Sequence, residues 1–408
     1  MFTYKKENQL PIKSWIPEKD YLADEKMVEQ VENLAKLPFA FHHIALSPDG
    51  HIGYGMPIGG VMATKGVIIP NAVGLDIGCG MCAVKTSLTD INTDTLKKIM
   101  GDIRKAIPVG FKKNKDYPGG RDGVVKLLPE ENNPLFGSEY PVISNPIIFS
   151  NACLSLGTLG GGNHFIEIQK GNDGHIWIMI HSGSRNLGKQ VAEHYDKLAK
   201  KLNAKWYSSV PKEYDLAFLP IDSEGGKDYI REMNYCVEFA LANRKLMMER
   251  VGECFYKEFP ELRLDSSFNF SLPINIAHNY AKMENHFKEN VMVHRKGATL
   301  ATCDTVGIIP GSQGTKSYIV RGLGNASSFN SCSHGAGRSL GRKQAIKTLD
   351  LAKEIKALDD QGIIHGIRNQ EDLDEAPSAY KDIYQVMENQ KDLVEVLVEL
   401  TPLAVVKA

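Results

Sequence analysis

His334 stands in the stretch NSCSHGAGRSLGRK, residues 330–343, among small neighbours and just ahead of Gly337, Arg338, Arg342 and Lys343. Small residues bare the backbone around the imidazole and three fixed cations follow it, an arrangement suited to a bulky anion reaching the ring. Five other stretches carry chemistry-bearing side chains. LDIGCGM, 75–81, sets Asp76 and Cys79 three apart, and Gly78 and Gly80 let the backbone fold so that both point one way. A converging carboxylate and thiolate are half of a metal site; alone, the stretch reads equally as a glycine turn with a buried structural cysteine. GTLGGGNHFIEIQ, 157–169, puts four glycines ahead of Asn163 and His164. Its bare amides can cradle an anion, although it matches neither GxxxxGK[ST] nor a GxGxxG that opens a helix.

HIWIMIHSGSRNLG, 175–188, places His181 where an apolar run ends, with Arg185 beside it as a phosphate-compatible donor. A lone histidine there is more often a satisfied polar residue than a ligand. INIAHNYAK, 274–282, holds His278 and Asn279, and says little by itself. GIIPGSQGTKSYIVRGLGN, 307–325, alternates turn glycines with Ser312, Thr315 and Ser317, as either a hydroxyl-lined loop or a set of tight hairpins. Together, Asp76, Cys79, His164, His181 and His278 exceed the four ligands of a closed structural zinc site and suit one or two divalent ions with open positions. Softness favours zinc over manganese for such donors. His43, His51, His175, His194, His286, His294 and His365 lack comparable contexts and are read as ordinary structural histidines.

These residues need elements to position them. Helical spacing runs over 24–36, 94–107, 187–203 and, longest, 228–259, with further helices expected after Gly337 and near 389–399. Strands are expected over 42–51, 57–70, 164–169 and 175–183, in short pieces after residue 266, and in the terminal LAVVKA. The polar stretch 111–140 reads as a surface insertion or mobile loop. No fixed-period repeat or domain boundary appears. The fold class expected is α+β, one intertwined domain over 1–408, with short mixed strands surrounded by helices.

The chain has 408 residues, 42% of them hydrophobic, and a formal net charge of −1. Near-zero charge neither supports nor excludes nucleic acid, because a local basic patch suffices. No apolar run of about 18 residues suggests a membrane span. The opening MFTYKKENQLPIKSW lacks the apolar core of a signal peptide, so the expected location is cytoplasmic. Seven scattered cysteines, an odd number, argue for reduced thiols.

In order, SPDGHIG, GLDIGCGM, GTLGGGNHFIE, IMIHSGSR, AHNY, PGSQGTKSYIVRG, SCSHGAGR and AYKDI, with the terminal VVKA, resemble the RtcB family of RNA-splicing ligases over nearly the whole chain. The resemblance implies a ligase that uses GTP as co-substrate and manganese, with two ions. It would join an RNA 3′-phosphate or 2′,3′-cyclic phosphate end to a 5′-hydroxyl end through a guanylylated histidine and an RNA(3′)pp(5′)G intermediate. That histidine falls on His334, and the family's metal ligands fall on Asp76, Cys79, His164, His181 and His278. Asp49 matches a family aspartate near the metals that positions or deprotonates a nucleophile.

The guanylate-binding positions implied are Asn163, His164, Phe165, Ile166, Glu167, His278, Asn279, Pro310, Gly311, Ser312, Gln313, Ser317, His334, Gly335, Ala336, Gly337 and Lys407. Lys407 is suited to the guanine O6, Glu167 to the guanine donors, and Tyr380 to packing near the base. Arg338 and Arg342 are expected to neutralise phosphate. This chain has SPDGH where members often have MPDVH, Ala277 before His278, Gln313 where methionine is frequent, and Phe111, Lys112 and Lys113 where some have arginines. None of these removes a ligand or the nucleophile. Expected partners are RNA and GTP, with no membrane and a monomeric chain. An alternative is a metal-dependent RNA-end phosphodiesterase without ligation, which would need the metal ligands but neither His334 nor Lys407. A non-catalytic RNA-binding protein fits the intact ligand set less well.

Overall fold

Alternating apolar runs pair, among the described residues, into two large sheets and two short two-stranded ones, and amphipathic helices cover the large sheets. The computed structural model describes residues 1–120, 140–262, 264–265 and 273–407. Among them, one sheet has six strands in the order Phe2–Tyr4, Ile12–Ser14, Ala40–His51, Ile58–Thr64, Glu289–Lys296 and Asn279–His286. The other orders Leu264–Asp265, Gly80–Thr86, Ile176–Ser182, Phe165–Gly171, Val394–Val406, Ser317–Gly322 and Val306–Ile309, with Ile274–Ala277 also pairing to Gly80–Thr86. Each large sheet draws on both halves of the chain, so the expected intertwined α+β class holds.

Side-chain alternation divides the second sheet between two cores. Ile166, Ile168, Ile178, Ile180, Cys82 and Val84 pack beneath the helices Thr93–Ala106 and Glu224–Glu258. Met81, Trp177 and Met179 face the other way, toward Ile308, Ile319 and Val398. A third cluster joins the sheets, bringing Ala45, Val61 and Val293 against Tyr318, Val320 and Val394. The short strand Ser331–Ser333, which leads into His334, pairs with Ala298–Leu300 at this junction. Buried Arg295 braces it: its Nε donates to Ser331 Oγ at 2.9 Å, one Nη2 bond reaches Phe329 O at 2.9 Å, and Glu284 takes the guanidinium with both carboxylate oxygens. That bidentate pairing is what makes a fully buried guanidinium tolerable.

The helix expected near 389–399 is a strand instead, Val394–Val406. VEVLVEL satisfies helical spacing, but its alternating valines favour a pleat, and edges are available on both sides. It pairs antiparallel with Ser317–Gly322 and with Phe165–Gly171. Being central, this strand fixes the chain's end and carries Lys407 into the interior. Of the polar stretch expected to be an insertion or loop, 121–139 lies outside the described residues; Phe111 is exposed, whereas Tyr140 is buried in the core. All seven cysteines are free thiols. Among the described residues, no helix is long and apolar enough to cross a membrane.

Candidate active site

Asp76 and Cys79 lie in the loop between the helix Pro70–Val73 and the strand Gly80–Thr86. Gly78 has φ +77°, and a Cβ there would come within 2.9 Å of Ala240 Cβ and Cys236 O. Only glycine lets the loop lie against the long helix. His164 precedes the strand Phe165–Gly171, His181 ends Ile176–Ser182, and His278 sits between Ile274–Ala277 and Asn279–His286. Their side chains converge. Cys79 Sγ is 3.5 Å from His164 Nε2 and 3.3 Å from His181 Nε2, and Asp76 Oδ2 is 3.1 Å from His164 Nε2. The rings of His181 and His278 have centroids 5.2 Å apart.

Two donor groups result, Cys79–His181–His278 and Asp76–Cys79–His164, each with ligand atoms within 4.8 Å of one another. Cys79 belongs to both. The donor set fits divalent metal. His164 Nδ1 is 2.9 Å from Leu159 O and His181 Nδ1 is 3.0 Å from Asn163 O, so each ring is anchored through Nδ1 and turns Nε2 toward the cluster. Burial, reinforced by neighbouring histidines, pushes His181 and His278 well below the ordinary imidazole range, keeping them neutral. His278 Nδ1 is buried with no hydrogen-bond partner. Desolvation alone would raise the Asp76 carboxyl, but the hydrogen bond and charge of His164, then Cys79 and Arg185, hold it at about 2. Burial and the Asp76 charge push the Cys79 thiol well up, a penalty that only a bound cation reverses. Cys82, three residues on, packs in the apolar core instead.

Arg244, fully buried on the long helix, ties the ligand-bearing elements together. Its Nη1 donates to Gly78 O at 2.9 Å and Ser182 O at 2.8 Å, and its Nε to Asn275 Oδ1 at 2.7 Å. Gly78 and Ser182 adjoin Cys79 and His181, and Asn275 stands three residues before His278 on the strand Ile274–Ala277. Arg244→Lys should keep the charge but lose the fork, lowering metal affinity about 10- to 100-fold. Titration of the purified variant with metal, followed by fluorescence or calorimetry, measures this, and an unchanged affinity contradicts it.

His334 abuts the cluster, its ring centroid 4.9 Å from that of His278. Asp49, expected near the metal ligands, lies against His334. Its Oδ2 lies 2.6 Å from His334 Nδ1 and accepts the backbone N–H groups of His334 at 3.1 Å and Gly335 at 3.3 Å. Burial would raise this carboxyl, yet the charge and hydrogen bond of His334 and the Ser47 hydroxyl hold it at about 2. Gly337, φ +75°, lets the loop close on this strand, since a Cβ would sit 2.2 Å from Asp49 O.

A cavity of about 650 Å³ opens from here. Asn163, Phe165, Glu167 and His181 line it, as do Pro310 to Gln313, His334 to Gly337, Tyr380 and Lys407. Ile166 alternates away, buried in the core with Ile168 and Ile180. Ser317 stays behind the wall, where its hydroxyl takes Gly311 N at 3.1 Å and Gln169 Nε2 at 3.0 Å. Asn279 is spent on bracing, donating to Asp76 O at 3.0 Å and accepting Gly297 N at 2.7 Å.

Two residues were missed. His51, set aside from sequence, lines the cavity with Nδ1 2.9 Å from Asp49 O; its position two residues after Asp49 was the available signal. Glu375, buried at 1% side-chain exposure, gathers the site's cations: Arg342 Nε at 2.8 Å, Arg338 Nη1 at 3.1 Å and Lys407 Nζ at 3.9 Å. Tyr380 also bonds it through its hydroxyl. The arginines expected on phosphate are thus held by an internal carboxylate.

The model of the family described as tRNA-splicing ligase RtcB matches residues 30–408. The RNA-splicing ligase RtcB of Escherichia coli K12 is 40% identical over 407 residues, covering 97% of each chain. The tRNA-splicing ligase RtcB of Nanoarchaeum equitans is 33% identical over 461 residues, covering 96% of this chain and 95% of its own. That of Thermococcus kodakarensis is 32% identical over 447 residues, covering 95% and 92%.

Proposed function

The chain belongs to the family of the tRNA-splicing ligase RtcB, and from that premise we propose that it is a GTP- and manganese-dependent RNA ligase. It joins a 3′-phosphate or 2′,3′-cyclic phosphate end to a 5′-hydroxyl end through a guanylylated His334. The observation that carries this reading is the placement of His334: against His278 of the ligand cluster, 2.6 Å from the buried Asp49, and on the wall of a cavity large enough for a nucleotide. A phosphodiesterase without ligation has no use for that arrangement.

Asp49, ionised at neutral pH and 2.6 Å from His334 Nδ1, favours the ring proton on that nitrogen, which leaves the Nε2 lone pair free for attack. Nε2 then attacks the α-phosphorus of GTP. The N–P bond forms as the bond to pyrophosphate breaks, and Asp49 offsets the charge arising on the ring. The bare backbone of Gly335 to Gly337 leaves room for the α-phosphate. The 3′-phosphate, formed by hydrolysis where the end is cyclic, next takes GMP from His334. The 5′-hydroxyl attacks that activated phosphorus and GMP leaves. Asp76, Cys79 and His164 would hold one divalent ion and Cys79, His181 and His278 a second, which when bound neutralise charge on the phosphoryl oxygens. The resemblance implies manganese, although softness alone favours zinc.

At the cavity wall, the Lys407 ammonium suits the guanine O6 acceptor, where adenine presents an amino group. Burial pushes the Glu167 carboxyl well up despite Lys407 and Gln169, leaving it eager for donors such as guanine N1–H.

The test supplies RNA bearing a 5′-hydroxyl and either a 3′-phosphate or a 2′,3′-cyclic phosphate, with manganese, with and without GTP. Joined product from both ends, absent when GTP is omitted, is the expected result. Opening of the cyclic phosphate with no joining in the presence of GTP would replace this reading by the phosphodiesterase one.

A further inference from the structure

Phe111 is 103% exposed, more than any other large hydrophobic side chain among the described residues. Its presentation is rigid. Val109 to Lys112 form a tight turn closed by Lys112 N to Val109 O at 3.2 Å, with Gly110 at φ +64°. The turn is pinned on one side by Gly110 N to Gly160 O at 2.8 Å and by Arg185 Nη2 to Gly110 O at 3.2 Å. On the other, the Asn114 side chain donates to Leu154 O at 2.9 Å and Leu156 O at 2.7 Å, and accepts Arg250 Nη1 at 3.2 Å. A framework this well bonded has no evident reason to expose a phenyl ring unless something covers it.

The turn also adjoins the ligand cluster. Gly160, its hydrogen-bond partner, lies so near His164 and Arg185 that a Cβ would come within 2.7 Å of His164 Nδ1 and 2.2 Å of Arg185 Nη1. Beside Phe111 stand Lys112, Lys113 and Lys115, all exposed, against the single carboxylate of Asp116. No described carboxylate lies within ion-pair distance of these lysines; among the described residues their side chains make one hydrogen bond, Lys113 Nζ to Asn151 Oδ1 at 2.6 Å. A bare aromatic face amid cations with no carboxylate partner among the described residues matches a ligand with alternating bases and phosphates. Single-stranded RNA has that character, because an unpaired base stacks on an aromatic ring while its flanking phosphates meet lysine. A protein partner would not need so cationic a border around one ring.

We propose that Phe111, with Lys112, Lys113 and Lys115, forms a docking platform for a single-stranded RNA segment next to the end being joined. This rests on the ligase reading above, and places that RNA on the His164 side of the site. Phe111 stacks a base and the lysines hold adjacent phosphates, so the platform grips RNA with little regard for sequence.

The experiment measures anisotropy of a fluorescent single-stranded RNA ending in 3′-phosphate on the full chain, alongside its KM in ligation. Phe111→Ala should weaken RNA binding about tenfold, within the range expected for one lost base stack, while Phe111→Tyr retains it. Replacing the three lysines with alanine should flatten the salt dependence of binding by about two phosphate contacts. Guanylylation of His334 by GTP without RNA should not change in any of these variants, which separates this surface from the nucleotide chemistry. The ring is wholly exposed, so its loss leaves the fold intact. RNA binding and KM in Phe111→Ala equal to wild type would overturn the proposal, as would a loss in Phe111→Tyr as large as in Phe111→Ala. A chain that binds RNA through Phe111 but never joins ends would uphold the surface and remove the ligase reading instead.

Discussion

His334→Ala should eliminate the protein–nucleotide adduct formed with α-labelled GTP and manganese, and with it the joining of RNA ends. The wild-type adduct should be acid-labile and base-stable, as a phosphoramidate is. The expected loss in ligation is on the order of 10⁴-fold or more, the scale on which an enzyme loses rate when its covalent nucleophile is removed. The side chain makes this a clean experiment. Among the described residues His334 meets the candidate ligand cluster through its ring contact with His278 and belongs to neither donor group. Metal content measured on the purified variant should therefore match wild type, and the folded state should survive, because the strand leading into residue 334 is held by Arg295 and Asn330 rather than by the imidazole. A variant that still labels with GTP, at full metal occupancy, would move the nucleophile elsewhere. Asp49 then offers an internal control, since Asp49→Asn keeps the two backbone N–H bonds but lacks the charge that offsets an imidazolium. It should label more slowly than wild type yet above His334→Ala.

The five candidate ligand side chains were legible because few residue types can do such work. Glycines bracket Cys79, and His181 closes an apolar run, whereas INIAHNYAK by itself says little of His278. Their convergence is a property of the sheet, in which Gly80–Thr86, Ile176–Ser182 and Phe165–Gly171 are successive neighbours. Sequence gives no such adjacency, so the residues could be named before their distances could. Arg244 and Arg295 show the opposite case. Each was one arginine in a helix or strand, and each acquires its role from carbonyls and a carboxylate that only folding brings near. Glu375 was hidden differently. It ends the acidic run EDLDE, which reads as a solvated surface, and its burial depends on Arg338, Arg342 and Lys407 arriving from other segments. The strand Val394–Val406 failed for the same reason: local spacing allowed a helix, and the two flanking strand edges decided otherwise.

Cys79→Ala is expected to have an effect nearly as large by a different route. Cys79 Sγ is the one atom shared by both donor groups, so its loss removes a ligand from each. The thiol is also the group that most needs a cation, because burial and the Asp76 charge oppose its ionisation. Metal binding must therefore release its proton, and affinity should fall as pH falls. In the variant that proton coupling disappears together with the anionic ligand, leaving three imidazoles and Asp76. Metal content after dialysis should drop from the wild-type value toward zero, and His334 labelling should fall at least about 10³-fold even at saturating GTP, since the α-phosphate loses its charge neutralisation. Cys79→Ser separates the contributions of shape and softness. A hydroxyl fills the same space but stays protonated, so a serine variant as depleted as alanine assigns the role to the thiolate itself, whereas recovery with added manganese, a harder ion, would show that an oxygen donor suffices. Metal content equal to wild type in Cys79→Ala would break the assignment of Cys79 as a shared ligand and, with it, the two-ion arrangement.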